Sequence, residues 1–274
     1  MQSHSRTPHS KEESILFSSA PMSDADGGWP SVKFPSRYQG MKRAVDAVIS
    51  SILAVVALPI VLICAFLIRM TSHGPAFYTQ VRLGRFGKPF RIWKLRTMIH
   101  NCELTSGARW AMRNDPRATP VGRFLRITHL DELPQLWNVL KGDMSMVGPR
   151  PERPEFVPVL EDAIPEYRKR LLIRPGVTGV SQIYLPPDTG IASVRKKLVY
   201  DLHYIRNMGL WLDLRLMIAT GLQAVGLPCR FVRRILLLPR PMLIEQPIVV
   251  EKAGVHPKLP VAETFGDLSY ETRS

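Results

Sequence analysis

Cysteine is scarce in this chain: Cys64, Cys102 and Cys229 are its three, widely spaced. That spacing builds neither a metal motif nor a disulfide framework, so each reads as a small apolar residue in a reducing compartment. Acidic charge is short as well. Asp and Glu number 23 against 37 Lys and Arg, a formal charge of +14 with a pI near 10.1. The imbalance points to an anionic partner: nucleic acid, an acidic membrane surface or a phosphorylated substrate. No recognised nucleic-acid motif is present, so nucleic acid is not expected. The glycines form no Walker A or dinucleotide fingerprint. No secretory signal opens the chain, and residues 1–37 lack a sustained apolar period and read as a disordered tail.

Long apolar runs are missing but for one, Ala47 to Ile68. Roughly 20 apolar residues suffice to cross a bilayer as a helix. The run contains Pro59, and a proline inside a helix removes a hydrogen bond and kinks it. Basic residues stand at both ends, Lys42 and Arg43 before and Arg69 after, so charge asymmetry across the run is weak. Both ends on the cytoplasmic side satisfy it best. The expectation is a membrane-inserted helix over 38–72.

Beyond it, Gly74 to Met98 alternates aromatic and β-branched residues with polar ones around a glycine-bearing turn, which predicts a short β-hairpin. Arg82, Arg85, Lys88, Arg91, Lys94 and Arg96 make it strongly basic. Arg85 and Lys88 read as solvated, lipid-facing charge. Residues 100–114 form a polar, poorly patterned loop. Val121, Phe124 and Leu125 recur at helical spacing, with Arg123 and Arg126 beside them.

Two carboxylates then stand side by side, Asp131 and Glu132. Leu133, Leu136, Trp137 and Leu140 follow at helical spacing and predict a buried helix face. Proline fits only the first turn, so the helix starts near Pro134 and the acid pair lies at an end that favours anions. A plainer reading exists: Thr128-x-x-Asp131 resembles a capping box. A Gly148-Pro149-Arg150-Pro151 turn holds Arg150 on a rigid backbone. Arg153 to Arg170 reads as a charged helical scaffold. Arg174-Pro175-Gly176-Val177-Thr178-Gly179 fixes an unusual backbone near a ligand or a tight turn. Met208 to Ile218 reads as an amphipathic, interfacial helix or else a core helix, and the tail from 228 is basic and apolar enough to lie on an anionic membrane.

From about Lys42 to about Thr220 the chain resembles the bacterial sugar transferases, monotopic phosphoglycosyl transferases that load a sugar phosphate onto a polyprenyl phosphate. The likeness rests on the Thr128–Pro151 stretch, Lys94-Leu95-Arg96-Thr97-Met98, Arg174–Gly179, Tyr200–Asn207 and Leu212–Arg215. It implies an α/β fold, mostly α with a short β-hairpin: a monotopic membrane protein with a re-entrant helix broken at Pro59 and a cytosolic catalytic domain over 73–227. Leu58 stands where the family often has serine. Asp131 is then the nucleophile, and Glu132 holds metal or positions the acceptor. Both carboxylates are the metal candidates, for Mg2+. Lys94, Arg96, Arg126, Pro149, Arg150 and Pro151 are the substrate-binding candidates.

The implied partners are a UDP-sugar, polyprenyl (undecaprenyl) phosphate and anionic lipids, with homodimer formation left open. The implied place is the cytoplasmic face of a bacterial inner membrane. The implied task is a first membrane step in exopolysaccharide, capsule, O-antigen or glycoconjugate synthesis. Gln182 to Gly190 departs from the family's usual continuation and lacks an arginine found there, so the sugar is not carried over. Two other classes compete, a basic nucleic-acid-binding protein and a non-catalytic membrane scaffold. The scaffold leaves Asp131, Glu132 and Arg150 without a task.

Overall fold

The computed structural model describes residues 36–102 and 115–245. Nearly all of the expected N-terminal tail, most of the loop 100–114 and the last residues of the C-terminal tail lie outside them. Helix α1, Ser36–Thr71, carries the apolar run. Its helical backbone continues through Pro59, so the expected break is not found there. Proline withholds one donor, and the turns on either side keep theirs.

Both halves of α1 pack on the rest of the chain. Near its start, Lys42 Nζ lies 2.8 Å from Asp213 Oδ2. Arg43 Nη1 and Nη2 donate to the carbonyls of Val139 and Leu140 at 2.5 and 2.6 Å. Asp46, buried, accepts from Ser145 Oγ at 2.7 Å and from Met146 N at 3.2 Å. Near its end, Cys64 and Ile68 pack with Ala76, Leu95 and Leu125. The opposite face is bare: Val55, Phe66 and Ile63 are 74, 63 and 60% exposed.

The predicted hairpin is present. Strands β1, Phe77–Leu83, and β2, Pro89–Leu95, pair antiparallel with Phe77 opposite Leu95 and Leu83 opposite Pro89. A 3-10 turn over Arg85–Gly87 closes it, with Phe86 at φ 57°. Helix α2, Pro120–Ile127, starts as its sequence dictates: Thr119 accepts from Gly122 N, and proline takes the first turn. Gly122 lets α2 sit directly on the Thr97 carbonyl, where an added Cβ would fall 1.9 Å from oxygen.

After the acid pair comes α3, Gln135–Lys141, ending on Gly142 at φ 91°. Its buried face differs from the predicted one. Gln135, Leu136, Asn138 and Val139 turn inward, whereas Trp137 is 57% exposed. The apolar spacing misled because the buried polar side chains, Gln135 and Asn138, carry part of that face.

A short parallel pair, unmarked in the sequence, joins β3, Ser145–Val147, to β4, Gly176–Thr178. Gly148 N donates to Thr178 O and Gly176 N to Pro149 O, both at 2.9 Å. A Cβ on Gly176 would lie 2.1 Å from Gly148 N. The glycines of Arg174–Gly179 therefore serve close backbone approach. Helices α4, Val157–Ala163, α5, Val180–Tyr184, α6, Ile191–Asn207, and α7, Leu210–Ala224, complete the layer behind this pair. Tyr167, Tyr204, Leu216, Val139 and Val147 are among the fully buried core residues. The fold is mostly helical, with one antiparallel hairpin, as expected.

The chain stays ordered in helix beyond 227. Helices α8, Cys229–Ile235, and α9, Pro241–Ile244, return over α5 and α6. Val232, Leu238 and Ile244 enter the main core, Tyr184 Oη donates to Pro239 O at 2.7 Å, and Tyr200 Oη to Glu245 Oε1 at 2.5 Å.

Candidate active site

Three elements meet at the acid pair. Leu130–Glu132 is a single 3-10 turn between α2 and α3. His129, at φ 57° and ψ 16°, reverses the chain into it, a left-handed conformation that histidine tolerates better than most residues. Thr128 does not form the capping box suggested by its spacing. Its Oγ1 donates backward to the carbonyls of Phe124 and Leu125 at 2.9 and 3.2 Å, because Thr128 closes α2 before the reversal.

Glu132 is clamped. Lys94 Nζ lies 2.8 Å from its Oε1. Arg150 Nη2 lies 2.5 Å from the same oxygen, and Nη1 3.3 Å from Oε2. Burial alone raises the Glu132 pKa, but Arg150 and Lys94 outweigh it and hold the carboxyl well below the usual range. Glu132 in turn raises the Arg150 pKa. Lys94 moves the other way: burial lowers it more than Glu132 lifts it.

Asp131 is different. It is 8% exposed, and among the described residues its carboxylate accepts no hydrogen bond and has no salt-bridge partner. Burial raises its pKa above the ordinary value, Lys94 pulls down, and the Glu132 charge pushes up again. Two adjacent carboxylates thus differ in kind. One is neutralised and fixed; the other is unpaired and costly to ionise, the condition of a reactive group.

Secondary contacts fix these positions. Asn138, wholly buried, accepts from Trp93 N at 3.0 Å and donates to Arg91 O at 2.7 Å. Its amide acts as a strand edge toward β2 and sets Lys94 against Glu132. Arg150 hangs from the turn after β3, between the buried Pro149 and Pro151. Its carbonyl accepts from Arg170 Nη2 at 2.9 Å, and Arg170 pairs with buried Asp201 at 2.8 Å. Arg82 is a further, half-buried cation there. Its Nη1 lies 3.3 Å from Pro151 O and 3.6 Å from Glu152 Oε1. Burial, offset in part by Glu152, pushes its pKa down to about 10.

Of the expected binding residues, Lys94, Pro149, Arg150 and Pro151 gather at or behind the acid pair. Arg96 is elsewhere: its Nη2 donates to Ser72 O at 2.9 Å and Ser72 Oγ at 2.6 Å, which ties β2 to the end of α1. Arg126 is half-buried on α2, one turn before the pair, with no partner among the described residues. Asn138 and Arg170 carried no sequence signal of their own and Arg82 stood only in the hairpin's basic run, since each acts through a fold contact.

No cluster of three or more His, Cys, Asp or Glu stands together among the described residues. A divalent cation would find here at most the open oxygens of Asp131 and the less engaged Oε2 of Glu132. That donor set fits Mg2+, which binds through one or two carboxylates and completes its shell with phosphate oxygens and water.

An unpaired carboxylate beside two cations suits an enzyme that acts on anions, and the one long apolar helix found among the described residues goes with membrane association. The chain matches the bacterial sugar transferase family over residues 37–226 and belongs to that family; it is a phosphoglycosyl transferase. A Bacillus subtilis (strain 168) protein, provisionally an undecaprenyl-phosphate N-acetylgalactosaminyl 1-phosphate transferase, is 50% identical over 136 residues, which is 50% of this chain and 75% of its own length. The UDP-N-acetylgalactosamine-undecaprenyl-phosphate N-acetylgalactosaminephosphotransferase of Aeromonas hydrophila is 40% identical over 67% of this chain and 43% of its own. The UDP-glucose:undecaprenyl-phosphate glucose-1-phosphate transferase of Caulobacter vibrioides is 42% identical over 65% of this chain and 67% of its own. These relatives carry different sugars at similar identity, so likeness alone does not choose one.

Proposed function

We propose that this enzyme transfers a sugar 1-phosphate from a UDP-sugar to polyprenyl phosphate, undecaprenyl phosphate in the relatives, through a covalent intermediate on Asp131. The observation that carries the reading is the contrast between the unpaired Asp131 carboxylate and the doubly clamped Glu132 beside it. An Asp131 oxygen attacks the sugar-bearing phosphorus. The bond from that phosphorus to the bridging oxygen breaks, and UMP leaves with the electron pair. An oxygen of the lipid phosphate then attacks the same phosphorus, the acyl phosphate bond breaks, and Asp131 regains its carboxylate. The products are polyprenyl-diphosphate-sugar and UMP, and one hard transfer is divided into two.

Lys94 and Arg150 supply the positive field into which the pyrophosphate charge develops, with their geometry set beforehand. Mg2+, held by Asp131 and Glu132 together with substrate oxygens, would supply charge neutralisation between nucleophile and pyrophosphate. The half-buried site restricts water and so protects the acyl phosphate.

The membrane part of the proposal is a re-entrant topology, with both ends of the unbroken α1 on one side of the bilayer. Both halves of α1 contact one folded body, through Lys42 and Arg43 at one end and Cys64 and Ile68 at the other. A helix that crossed the bilayer would leave one end out of reach of a body on the other side. The bare face of α1 would lie in the apolar layer, at the cytoplasmic face of the bacterial inner membrane, where the acceptor head group is found.

The test is a half-reaction. Purified protein with Mg2+ and the proper UDP-sugar, without lipid acceptor, releases about one UMP per enzyme as a burst. Intact mass rises by one phospho-sugar, mapped to Asp131. Asp131→Asn abolishes burst and adduct with the fold intact. If UMP waits for polyprenyl phosphate in an active preparation, the covalent mechanism is wrong.

A further inference from the structure

Residues 229–245 lie beyond the stretch shared with the family, which ends at 226. They nonetheless fold, and their outward side is not what a solvated arm requires. On α8, Arg230 and Arg234 lie on one side of the exposed surface and Phe231 and Ile235 on the other, with the two apolar residues 52 and 55% exposed. Just past it Leu237 is 79% exposed at φ 47°, a left-handed position where glycine or asparagine is cheaper. A bare leucine in that conformation gains nothing from water.

The patch extends onto α7. Trp211, Leu214, Ile218 and Val225 recur at helical spacing along one side and are 69, 40, 43 and 75% exposed. Arg215 joins the two surfaces. Its guanidinium lies 6.0 Å from the centre of the Trp211 ring and donates to the carbonyls of Leu236 and Leu237 at 3.3 and 2.8 Å. Exposed tryptophan, exposed leucine and arginine are therefore contiguous. Arg230, Arg234 and Arg240 add charge of one sign, while the arm's carboxylate at Glu245 is engaged by Tyr200 and Lys196.

We propose that this arm and the outer side of α7 form a second bilayer contact, occupied by an anionic lipid surface. The chemistry fits that occupant. Tryptophan prefers the head-group level, arginine stems bury while their heads meet lipid phosphate, and each basic residue adds attraction to acidic lipid. The inference rests on the membrane reading of α1. It adds a contact that orients the catalytic body on the membrane.

The experiment uses the full chain with Cys64, Cys102 and Cys229 replaced by alanine. An environment-sensitive fluorophore is attached in turn at Leu237→Cys, at Ile63→Cys on the bare face of α1, and at Ala192→Cys on exposed α6. Each protein is placed at one copy per nanodisc of phosphatidylcholine, with or without phosphatidylglycerol and a lipid-borne nitroxide. The expected result is quenching at 63 and 237 and none at 192. Phosphatidylglycerol raises quenching at 237 by about twofold, consistent with charge attraction, and Arg230→Gln with Arg234→Gln and Arg240→Gln removes that gain.

A probe at 237 as water-exposed as at 192, with 63 still quenched, overturns the proposal and leaves α1 in the membrane. A shielded but unquenched probe at 237 overturns it too, because protein then covers the patch. Loss of quenching at 63 as well means that the membrane reading itself has failed.

Discussion

The two carboxylates of the site have the same chemistry and opposite surroundings. Asp131 must be ionised to attack, and burial holds its pKa above the ordinary aspartate value. Its active form is therefore lost as pH falls through that raised pKa, so the acid limb of the burst rate lies higher than a free aspartate would place it. Lys94 lowers the Asp131 pKa, so Lys94→Met moves the limb further up. Single-turnover UMP release against pH checks this, and an unmoved limb in the variant removes Asp131 from the rate. Arg150 grips Glu132 with both nitrogens of its fork, a geometry that lysine does not reproduce. Arg150→Lys folds and inserts normally but loses about 100-fold in turnover, the scale of one lost preorganised donor. Steady-state kinetics beside nucleotide-sugar affinity decides the case; near wild-type turnover makes Arg150 structural.

At the scale of elements, the site depends on two contacts that no motif advertises. Asn138 joins α3 to β2 by filling the hydrogen bonds of a strand edge. Asn138→Ala leaves the Trp93 amide and Arg91 carbonyl without that partner, at about 1–3 kcal/mol. Thermal unfolding in detergent measures the loss, and turnover falls further than stability because Lys94 is no longer held. The β3–β4 pair is closed by glycines in contact. Gly176→Ala places a carbon 2.1 Å from Gly148 N, so the strands must separate and the Arg150 turn moves with them. Overpacking of this kind costs about 1–3 kcal/mol. A variant as stable and active as the parent would show that the pair does not position Arg150.

For the whole molecule, the question is how one body and one apolar helix share a membrane. Gly40 and His73 flank the apolar run, and both are exposed. Cysteines at these two positions are expected to react with an impermeant reagent from the cytoplasmic side alone. Reaction of residue 40 from the other side establishes a spanning helix and ends the re-entrant proposal. Asp213 ties this arrangement together by holding Lys42 at 2.8 Å and accepting from Tyr204 Oη at 2.6 Å. Ion pairs buried in this way are most costly when one partner is removed.

The sequence by itself determined what is local or compositional. Apolar length marks α1, period-two alternation marks the hairpin, and adjacent Asp131 and Glu132 before Pro134 mark a turn with an acid pair. The proline-flanked Arg150 is likewise legible, because its backbone is restricted by its neighbours alone. Tertiary structure decided which carboxylate is free. Lys94 lies 38 residues from Glu132 in sequence and Arg150 lies 18, and only the hairpin and the parallel pair bring both to one oxygen. It also withdrew Arg96 to Ser72, turned Trp137 outward in favour of Asn138, and carried the helix through Pro59. In each case the deciding force is a contact between distant segments, and spacing along the chain holds no record of it.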